Sequence, residues 1–295
     1  MEKIKTRKSF CYQKNKENFS IHRNSNKLSK EQNLYFIYLA DKFSKYEDSL
    51  NAFENLINSN LILFQKNERY IFEKSVRLII NNKRTTLKKL FNLSKEAQAQ
   101  LEYANKQNIF DEEILISLEE EKNFTRSEII NLCNKILNLI DTYLKNAKNF
   151  DELNHSENNH MILEKENEAF FYKLKGDLHK YLFQIVEDSN EEHKNFKKAE
   201  EYFIESYKIA RMELDLFNQT SLSAILTYAE FLYKYKQRSN DALDILIPIY
   251  EKEETKNILH ENQNSDSNIL SLLNDIKVLI STILNSDHEE STIID

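Results

Sequence analysis

The chain has 295 residues, with 41 basic and 48 acidic side chains, and it contains one glycine, Gly176, and one proline, Pro248. A single glycine excludes the glycine-rich loops through which a backbone approaches the phosphates of a nucleotide cofactor. It also argues against a sheet-rich fold, whose turns need glycine and proline at short intervals. We therefore expect an all-α protein without a cofactor.

Residues 1–28 are predicted to form a disordered basic arm, because they carry eight basic and two acidic residues and show no apolar periodicity. Such an arm on an acidic body suits nucleic acid or an anionic membrane. Its lack of an aromatic or arginine-rich pattern favours contact with the protein's own acidic surface instead. We expect neither nucleic acid nor a membrane as a partner.

The cellular compartment is predicted from the N-terminus and the cysteines. The charged N-terminus leads into no apolar signal segment, and no apolar run approaches the roughly 18 residues that a membrane span needs. Cys11 and Cys133 do not make a disulfide framework, and Cys133 lies among apolar residues, where a buried thiol is expected. We expect the protein in the cytoplasm, with the nucleus as a second compartment.

A helical domain is predicted over residues 29–284. Its first helix begins at Ser29, which has the spacing of a capping box with Gln32. The apolar spacing beyond it predicts nine antiparallel helices, two of them long. Their approximate ranges are 29–46, 50–57, 69 to beyond 93, 112–143, 165–187, 193–214, 221–236, 240–253 and 267–284. Pro248 predicts a kink or an early helix end. Residues 145–164 are predicted to be a surface loop, and residues 285–295 a flexible acidic tail.

Nothing in the sequence predicts catalysis. His155 and His160 lie in the polar 145–164 segment without cysteine or carboxylate partners at the spacing of zinc ligands. No His-Glu-x-x-His motif and no nucleophile elbow is present. We expect no catalytic residue and no metal site, and the sequence favours a binding protein over an enzyme.

One constellation of cations stands out. Arg77 and Arg84 are seven residues apart, close to two helical turns, so both side chains leave the same helix face. Gly176 lies inside a helical pattern, where glycine costs roughly 1 kcal/mol relative to alanine, which indicates close helix packing. Lys180 and Tyr181 follow it with a cation and a hydroxyl donor.

Four segments carry a resemblance to a known family. Phe170–Leu182 matches, without a gap, the segment F-Y-L-K-M-K-G-D-Y-Y-R-Y-L of the 14-3-3 proteins. Lys83-Arg-Thr-Thr-Leu-Lys88 stands where the third helix of that family has R-R-S-S-W-R. Leu39–Asp48 resembles the first-helix motif L-A-E-x-A-x-R-Y-x-D, and Leu132–Leu137 resembles I-C-N-x-[IV]-L of the fourth helix. The similarity spans roughly residues 30–284 and implies the concave groove of the 14-3-3 fold.

The resemblance implies a phosphate-binding role for four residues, called the basic cluster below. The family binds phosphoserine or phosphothreonine of an extended partner segment through cations and a tyrosine, which match Arg77, Arg84, Lys180 and Tyr181. A phosphate with nearly two negative charges and three acceptor oxygens suits such convergent donors. The family has Lys at 77 and Arg at 180, and these exchanges alter geometry, because only Arg forms a bidentate fork.

The resemblance also implies a peptide groove that departs from the family. Lys173 and Asp177 match, and Leu226, Leu272 and Leu279 keep apolar character, whereas the two asparagines that hold the peptide backbone align with Thr227 and Ile276. Glu230 replaces an apolar groove residue. Losing both amides removes donors and acceptors that would hold a peptide in register, so an altered specificity is expected.

Family members dimerise through the first helix packed on the third and fourth helices of the partner, which implies a homodimer or a heterodimer with other members. The matching seam residues are Leu39, Ala40, Lys45, Thr86, Leu90, Leu93 and Glu128. In the tail, Ser286, Ser291 and Thr292 are candidate phosphorylation sites, and Ser286 and Thr292 have an acidic residue three positions on. A phosphorylated tail that binds the basic cluster would regulate it.

Two function classes therefore remain from the sequence. The first is an adaptor that binds phosphorylated partner proteins and regulates them in signalling. The alternative is a degenerate helical scaffold, 14-3-3-like or tetratricopeptide-like, that binds unphosphorylated partners. No strict 34-residue repeat supports the tetratricopeptide form.

Overall fold

A computed structural model describes residues 28–59, 63–103, 109–151, 158–260 and 266–291. Every regular element in these ranges is an α-helix, which confirms the all-α prediction. The helices are α1 (Lys30–Lys42), α2 (Tyr46–Asn58), α3 (Lys66–Tyr103), α4 (Ile109–Asp151), α5 (Asn158–Phe183), α6 (Ser189–Glu213), α7 (Gln219–Lys236), α8 (Ser239–Tyr250), α9 (Glu253–His260) and α10 (Ser267–Ser291).

The described ranges contain ten helices rather than the predicted nine. The additional helix is α9, which lies between the helices predicted at 240–253 and 267–284. It is held by the buried Thr255, whose hydroxyl donates to the carbonyl of Ile249 at 2.6 Å. The loop predicted at 145–164 is shorter, because α4 continues to Asp151 and α5 already begins at Asn158. Helix α8 includes Pro248 and ends at Tyr250, earlier than residue 253.

Side-chain caps and left-handed residues delimit the helices in place of glycine. At Ser29 the predicted capping box is confirmed: Ser29 Oγ accepts from the Gln32 N–H at 3.2 Å, and Gln32 Oε1 accepts from the Ser29 N–H at 2.8 Å. Ser44, with φ of 56°, turns the chain between α1 and α2, and Gln237, with φ of 52°, ends α7. These non-glycine residues take the conformation that glycine usually supplies.

Two hydrophobic clusters fill the interior. The first joins α1 to α5 around the fully buried rings of Phe53, Phe64, Phe72 and Phe171. The second joins α7, α8 and α10 with the end of α6. Between them, Phe203 of α6 packs on Phe231 of α7, with ring centres 5.1 Å apart. The helices that carry the basic cluster therefore belong to the first cluster, and α7 and α10 to the second.

Helix α10 has one property that the sequence analysis did not anticipate. By length and composition, Ser267–Ser286 is apolar enough to cross a membrane. In the structure, however, Leu273, Ile276, Ile280 and Ile283 of this helix lie in the second hydrophobic cluster. An apolar stripe of this kind is what a core helix of a packed domain needs.

Candidate functional site

Helices α3 and α5 lie side by side in the same direction. Three contacts between them join residues 100 positions apart: Glu73 with Lys173, Arg77 with Asp177, and Arg84 with Gln184. A constant offset over three helical turns means that the two helices run parallel in register. This register brings the arginines of α3 to the Lys180 and Tyr181 positions of α5.

Asp177 joins two members of the basic cluster. Its carboxylate accepts from Lys180 Nζ at 2.5 Å and from Arg77 Nη2 at 3.4 Å. Burial alone would raise the pKa of Asp177, but Lys180, Lys173 and Arg77 outweigh it and hold that pKa below the ordinary value. The Asp177 side chain is 2% exposed, while that of Arg77 is 46% exposed. The carboxylate therefore orients the cations from the interior side and leaves Arg77 open to a ligand.

Arg84 is positioned by an aromatic ring and an amide. Its guanidinium carbon lies 4.8 Å from the ring centre of Tyr181, within the range of a cation–π contact. Its Nη2 donates to Gln184 Oε1 at 2.7 Å, and Gln184 Nε2 donates to the Tyr235 hydroxyl at 2.8 Å. Gln184 and Tyr235 thus tie the cluster to α7, a role that the sequence analysis did not identify.

The Tyr181 hydroxyl keeps its proton. Burial, together with the Asp177 carboxylate, raises the pKa of Tyr181 above its ordinary value. A protonated phenol can donate to a phosphate oxygen. The structure therefore brings Arg77, Arg84, Lys180 and Tyr181 close to one another. All four are hydrogen-bond donors of the kind that a phosphate needs.

Lys173 lies next to the cluster and is paired with a residue that the sequence analysis missed. Glu73 Oε1 accepts from Lys173 Nζ at 2.7 Å and from Arg77 Nη2 at 3.0 Å. The Glu73–Arg77 spacing of four residues is common on charged helices, so it gave no signal in the sequence. In the folded chain Glu73 is an internal anion at the edge of the basic cluster.

Four helices surround a cavity beside the cluster. A space of about 340 Å³ is lined by residues of α3, α5, α7 and α10. Lys173 is among them, which places the cavity next to the basic cluster. It extends toward the N-terminal ends of α3 and α5, where Arg69 of α3 pairs with Glu166 of α5.

The groove residues predicted on α7 lie partly at the surface. Thr227 Oγ1 donates to the Ser223 carbonyl at 2.8 Å within its own helix. Glu230 is paired with Lys234 at 3.5 Å on the same helix. Leu226 is buried in the second hydrophobic cluster, so Thr227 and Glu230 are the predicted α7 residues that a ligand can reach.

On α10, the predicted groove residues pack mainly inward. Ile276 is 0% exposed and Leu279 is buried, both in the second hydrophobic cluster, while Leu272 is partly exposed. The Ile276 side chain therefore packs in the interior behind the groove and offers no surface to a peptide. Only Leu272 of these three is placed to contact one.

The seam residues predicted for dimerisation differ in their exposure within one protomer. Thr86, Leu93 and Lys45 are exposed, and Leu39 and Leu90 are partly exposed. Ala40 is buried within its own protomer. Lys45, Thr86 and Glu128 line one cavity of about 590 Å³, and Glu128 is paired with Lys83 of the same chain at 3.0 Å.

Ser286 and Ser291, two of the candidate phosphorylation sites, fall at the end of α10, which runs past the predicted end at residue 284. Ser286 Oγ donates to the Ile283 carbonyl at 2.8 Å and accepts from the Tyr233 hydroxyl at 3.3 Å. Ser291 is the last residue of α10, and Thr292 lies outside the described residues, as do residues 1–27 of the predicted arm.

The buried Cys133 and His179 have structural roles. Burial raises the pKa of the Cys133 thiol to about 12, as expected for a buried unreactive thiol. Burial lowers the pKa of His179 to about 4, and its Nδ1 lies 2.8 Å from Asn195 Oδ1. Within the described part of the chain, no group of histidine, cysteine and acidic residues has the arrangement of a metal site.

Comparison with known proteins places this geometry in a family. The 14-3-3 protein model matches residues 36–277. The chain is 20% identical to 14-3-3 protein 8 of Solanum lycopersicum over 89% of its own length and 92% of the relative. It is 23% identical to 14-3-3-like protein C of Glycine max, over 90% and 93%. With 14-3-3 protein homolog 2 of Echinococcus granulosus it shares 23% identity, over 84% and 90%.

The match covers every helix that contributes to the basic cluster and decides against the tetratricopeptide-like alternative. Members of the matched family are phosphopeptide-binding adaptors without enzymatic activity, which agrees with the prediction of a binding protein. With a family model matched over residues 36–277 and all four cluster residues inside that range, the chain belongs to the 14-3-3 family as a divergent member.

Proposed function

We propose that the chain is a cytoplasmic and nuclear adaptor that binds phosphoserine or phosphothreonine segments of partner proteins through Arg77, Arg84, Lys180 and Tyr181. The observation that carries the proposal is the convergence of these residues from two parallel helices: Arg77 and Lys180 pair with the buried Asp177, and Arg84 lies against the ring of Tyr181. The three cations carry more positive charge than Asp177 and Glu73 neutralise, and the Tyr181 phenol adds an uncharged hydrogen-bond donor. A dianionic phosphate fits that excess.

The groove beside the cluster supports an altered choice of partner. Thr227 replaces a family asparagine, and its hydroxyl is already bonded to Ser223. Glu230 and Lys234 form a charged pair where a ligand can reach α7. A peptide backbone therefore finds fewer free donors here, and we propose that affinity depends more strongly on the phosphate itself.

Dimerisation is part of the proposal. Exposed apolar residues lie on the helices that this dimer would join: Tyr35 and Phe43 on and just after α1, and Leu93 and Phe124 on α3 and α4. Apolar patches of this kind mark interaction surfaces. Their distribution suits a pair in which α1 of each protomer covers α3 and α4 of the other.

The binding proposal is tested with a degenerate phosphoserine and phosphothreonine peptide library and its unphosphorylated twin. We expect the wild-type protein to bind only the phosphorylated library. Arg84→Ala is expected to weaken binding roughly thirtyfold, equivalent to about 2 kcal/mol, since a charge-assisted contact is lost. Arg211→Ala, which removes an exposed arginine of α6, serves as the control and should leave the affinity unchanged.

Fluorescence anisotropy gives the two affinities, and thermal unfolding shows that both variants are folded. Equal binding of the phosphorylated and unphosphorylated libraries would refute the proposal. That result would favour the alternative of a helical scaffold for unphosphorylated partners.

A further inference from the structure

The charged residues that line the cavity beside the basic cluster are paired with each other. Among the described lining residues, three cations and three carboxylates form three ion pairs. Lys66 pairs with Asp266 at 2.6 Å, Lys173 pairs with Glu73 at 2.7 Å, and Arg69 pairs with Glu166. The charged part of this wall is therefore neutral overall.

The two inner pairs are shielded from solvent. The side chains of Arg69 and Lys173 are almost fully buried, whereas the Lys66–Asp266 pair is exposed at the rim. Interactions between buried charges are screened less than those at the surface. A charged group that enters the cavity therefore meets ions that already have partners, and it gives up its own hydration without a free counter-ion.

The remaining lining offers apolar contacts and one acceptor. Phe170, Phe217 and Ile269 contribute apolar surface. Gln219 Oε1 is buried at this wall and has no hydrogen-bond donor among the described residues. An N–H group of a bound peptide would satisfy that oxygen.

The cavity lies within reach of a peptide held at the basic cluster. Lys173, at its edge, precedes Asp177 by four residues and Lys180 by seven, which is roughly 6 and 10 Å along α5 at a rise of about 1.5 Å per residue. An extended chain covers about 3.3 Å per residue. Two or three residues therefore connect a bound phosphate to this cavity.

We infer that the cavity receives an uncharged side chain of the same phosphorylated segment, two or three residues from the phosphate, and that Glu73 sets this selectivity by neutralising Lys173. The inference rests on the proposed function and adds the chemistry of the neighbouring residue. Without Glu73, Lys173 loses its ion-pair partner at the cavity wall and attracts an acidic side chain. Exclusion of charged residues is then a consequence of existing pairs rather than of the cavity's size.

The test uses phosphoserine peptides in which each position from four before to four after the phosphoserine is replaced in turn by Leu, Gln, Lys or Glu. For the wild-type full chain, we expect one position, two or three residues from the phosphoserine, at which Lys and Glu bind about tenfold more weakly than Leu. The ratio of affinities at that position is the measured quantity. General changes in phosphate affinity cancel in this ratio.

Glu73→Gln is expected to change the ratio in one direction only. The Glu peptide should gain about tenfold relative to the Leu peptide, and the Lys peptide should not. Glu200→Gln is the matched control, since Glu200 is 22% exposed and pairs with Lys236, while Glu73 is 20% exposed and pairs with Lys173. Asp266→Asn, which keeps the helix cap but frees Lys66, should shift the ratio in the same direction by less and replaces Glu73→Gln if that variant does not fold.

Two negative results are distinguishable. If phosphorylated peptides bind but charged and uncharged residues are equivalent at every position, or if Glu73→Gln and Glu200→Gln behave alike, the inference on the cavity is refuted and the proposed function stands. If no peptide binds in a phosphate-dependent manner, both fail.

Discussion

Gly176 brings α5 directly against the ring of Phe203. A Cβ atom at this position would lie 2.4 Å from Phe203 Cε1 and 2.5 Å from Cδ1, far inside van der Waals contact. Asp177 follows Gly176 in the chain, and Lys180 Nζ lies 5.6 Å from the same Phe203 ring. The glycine therefore sets the distance between α5 and α6 directly behind the basic cluster, as its helical position in the sequence had indicated.

Replacing this glycine with alanine is predicted to destabilise the protein. Helix propensity alone would make Gly176→Ala about 1 kcal/mol more stable, but overpacking against a buried ring costs about 1–3 kcal/mol. We expect a net loss in the free energy of unfolding, measured by denaturant titration. In the double variant Gly176→Ala/Phe203→Leu, the smaller side chain leaves room for the added methyl group. The double variant should therefore lose less free energy of unfolding than the two single variants lose together. A stabilised Gly176→Ala would show that the contact with Phe203 is not tight.

The residues of the site differ in how far the sequence reveals them. Arg77 and Arg84 are recognisable because their seven-residue spacing places them on one helix face. Lys180 and Tyr181 are recognisable because they lie in the segment that matches the family motif without a gap. Glu73, Gln184 and Tyr235 are not recognisable, since each acts only through a contact between helices. Neither their spacing nor their residue type distinguishes them from an ordinary charged helix surface.

At the scale of helices, local signals predicted beginnings better than ends. The capping box at Ser29 depends on four consecutive residues and was identified correctly. The end of α4 was predicted too early, because residues 145–151 are mostly polar. In the structure, Asn146 Nδ2 donates to the carbonyl of Ile57 on α2. Helix α9 was missed because its eight residues contain only Ile258 and Leu259 as large apolar side chains, too few for a helical period.

The continuation of α10 to Ser291 separates the candidate phosphorylation sites of the tail, because Ser286 lies within this helix. Ser286 is held in the helix by Ile283 and Tyr233, so a phosphate on it stays on the α10 surface. We predict that phosphorylation of Thr292 by an acidophilic kinase lowers the affinity for a partner phosphopeptide about tenfold by competition, whereas phosphate on Ser286 alone leaves it unchanged.

Site-specifically phosphorylated full-length chains, compared by anisotropy titration, decide between the two sites. Thr292→Ala should abolish the effect of the kinase, and the Ser291→Ala control should preserve it. Equal peptide affinity before and after phosphorylation of Thr292 would end the proposal of tail regulation.

At the scale of the whole molecule, exposed large apolar side chains lie on the helices that were assigned to the dimer seam. Tyr35 and Phe43 are among the most exposed large apolar residues, and Leu93 and Phe124 are exposed on the long helices α3 and α4. An ion pair between Lys45 of one protomer and Glu128 of its partner is not required to hold such a dimer. Glu128 already pairs with Lys83 of its own chain, and exposed pairs typically contribute less than about 1 kcal/mol. Apolar contact is the stronger candidate for the driving force.

We therefore predict that a charge in the apolar seam separates the protomers. Wild-type protein should have about twice the 35.2 kDa mass of one chain in light scattering coupled to size exclusion. Leu93→Glu should shift the mass toward a single chain at micromolar concentration, because a charge buried at an interface loses its hydration. Met212→Glu places the same charge on an exposed residue of α6 and should leave the mass unchanged.

Glu128→Gln should have little effect on the mass, since the seam depends on apolar area rather than on this pair. A dimer that survives Leu93→Glu, or one that dissociates with Glu128→Gln, would contradict this assignment of the interface.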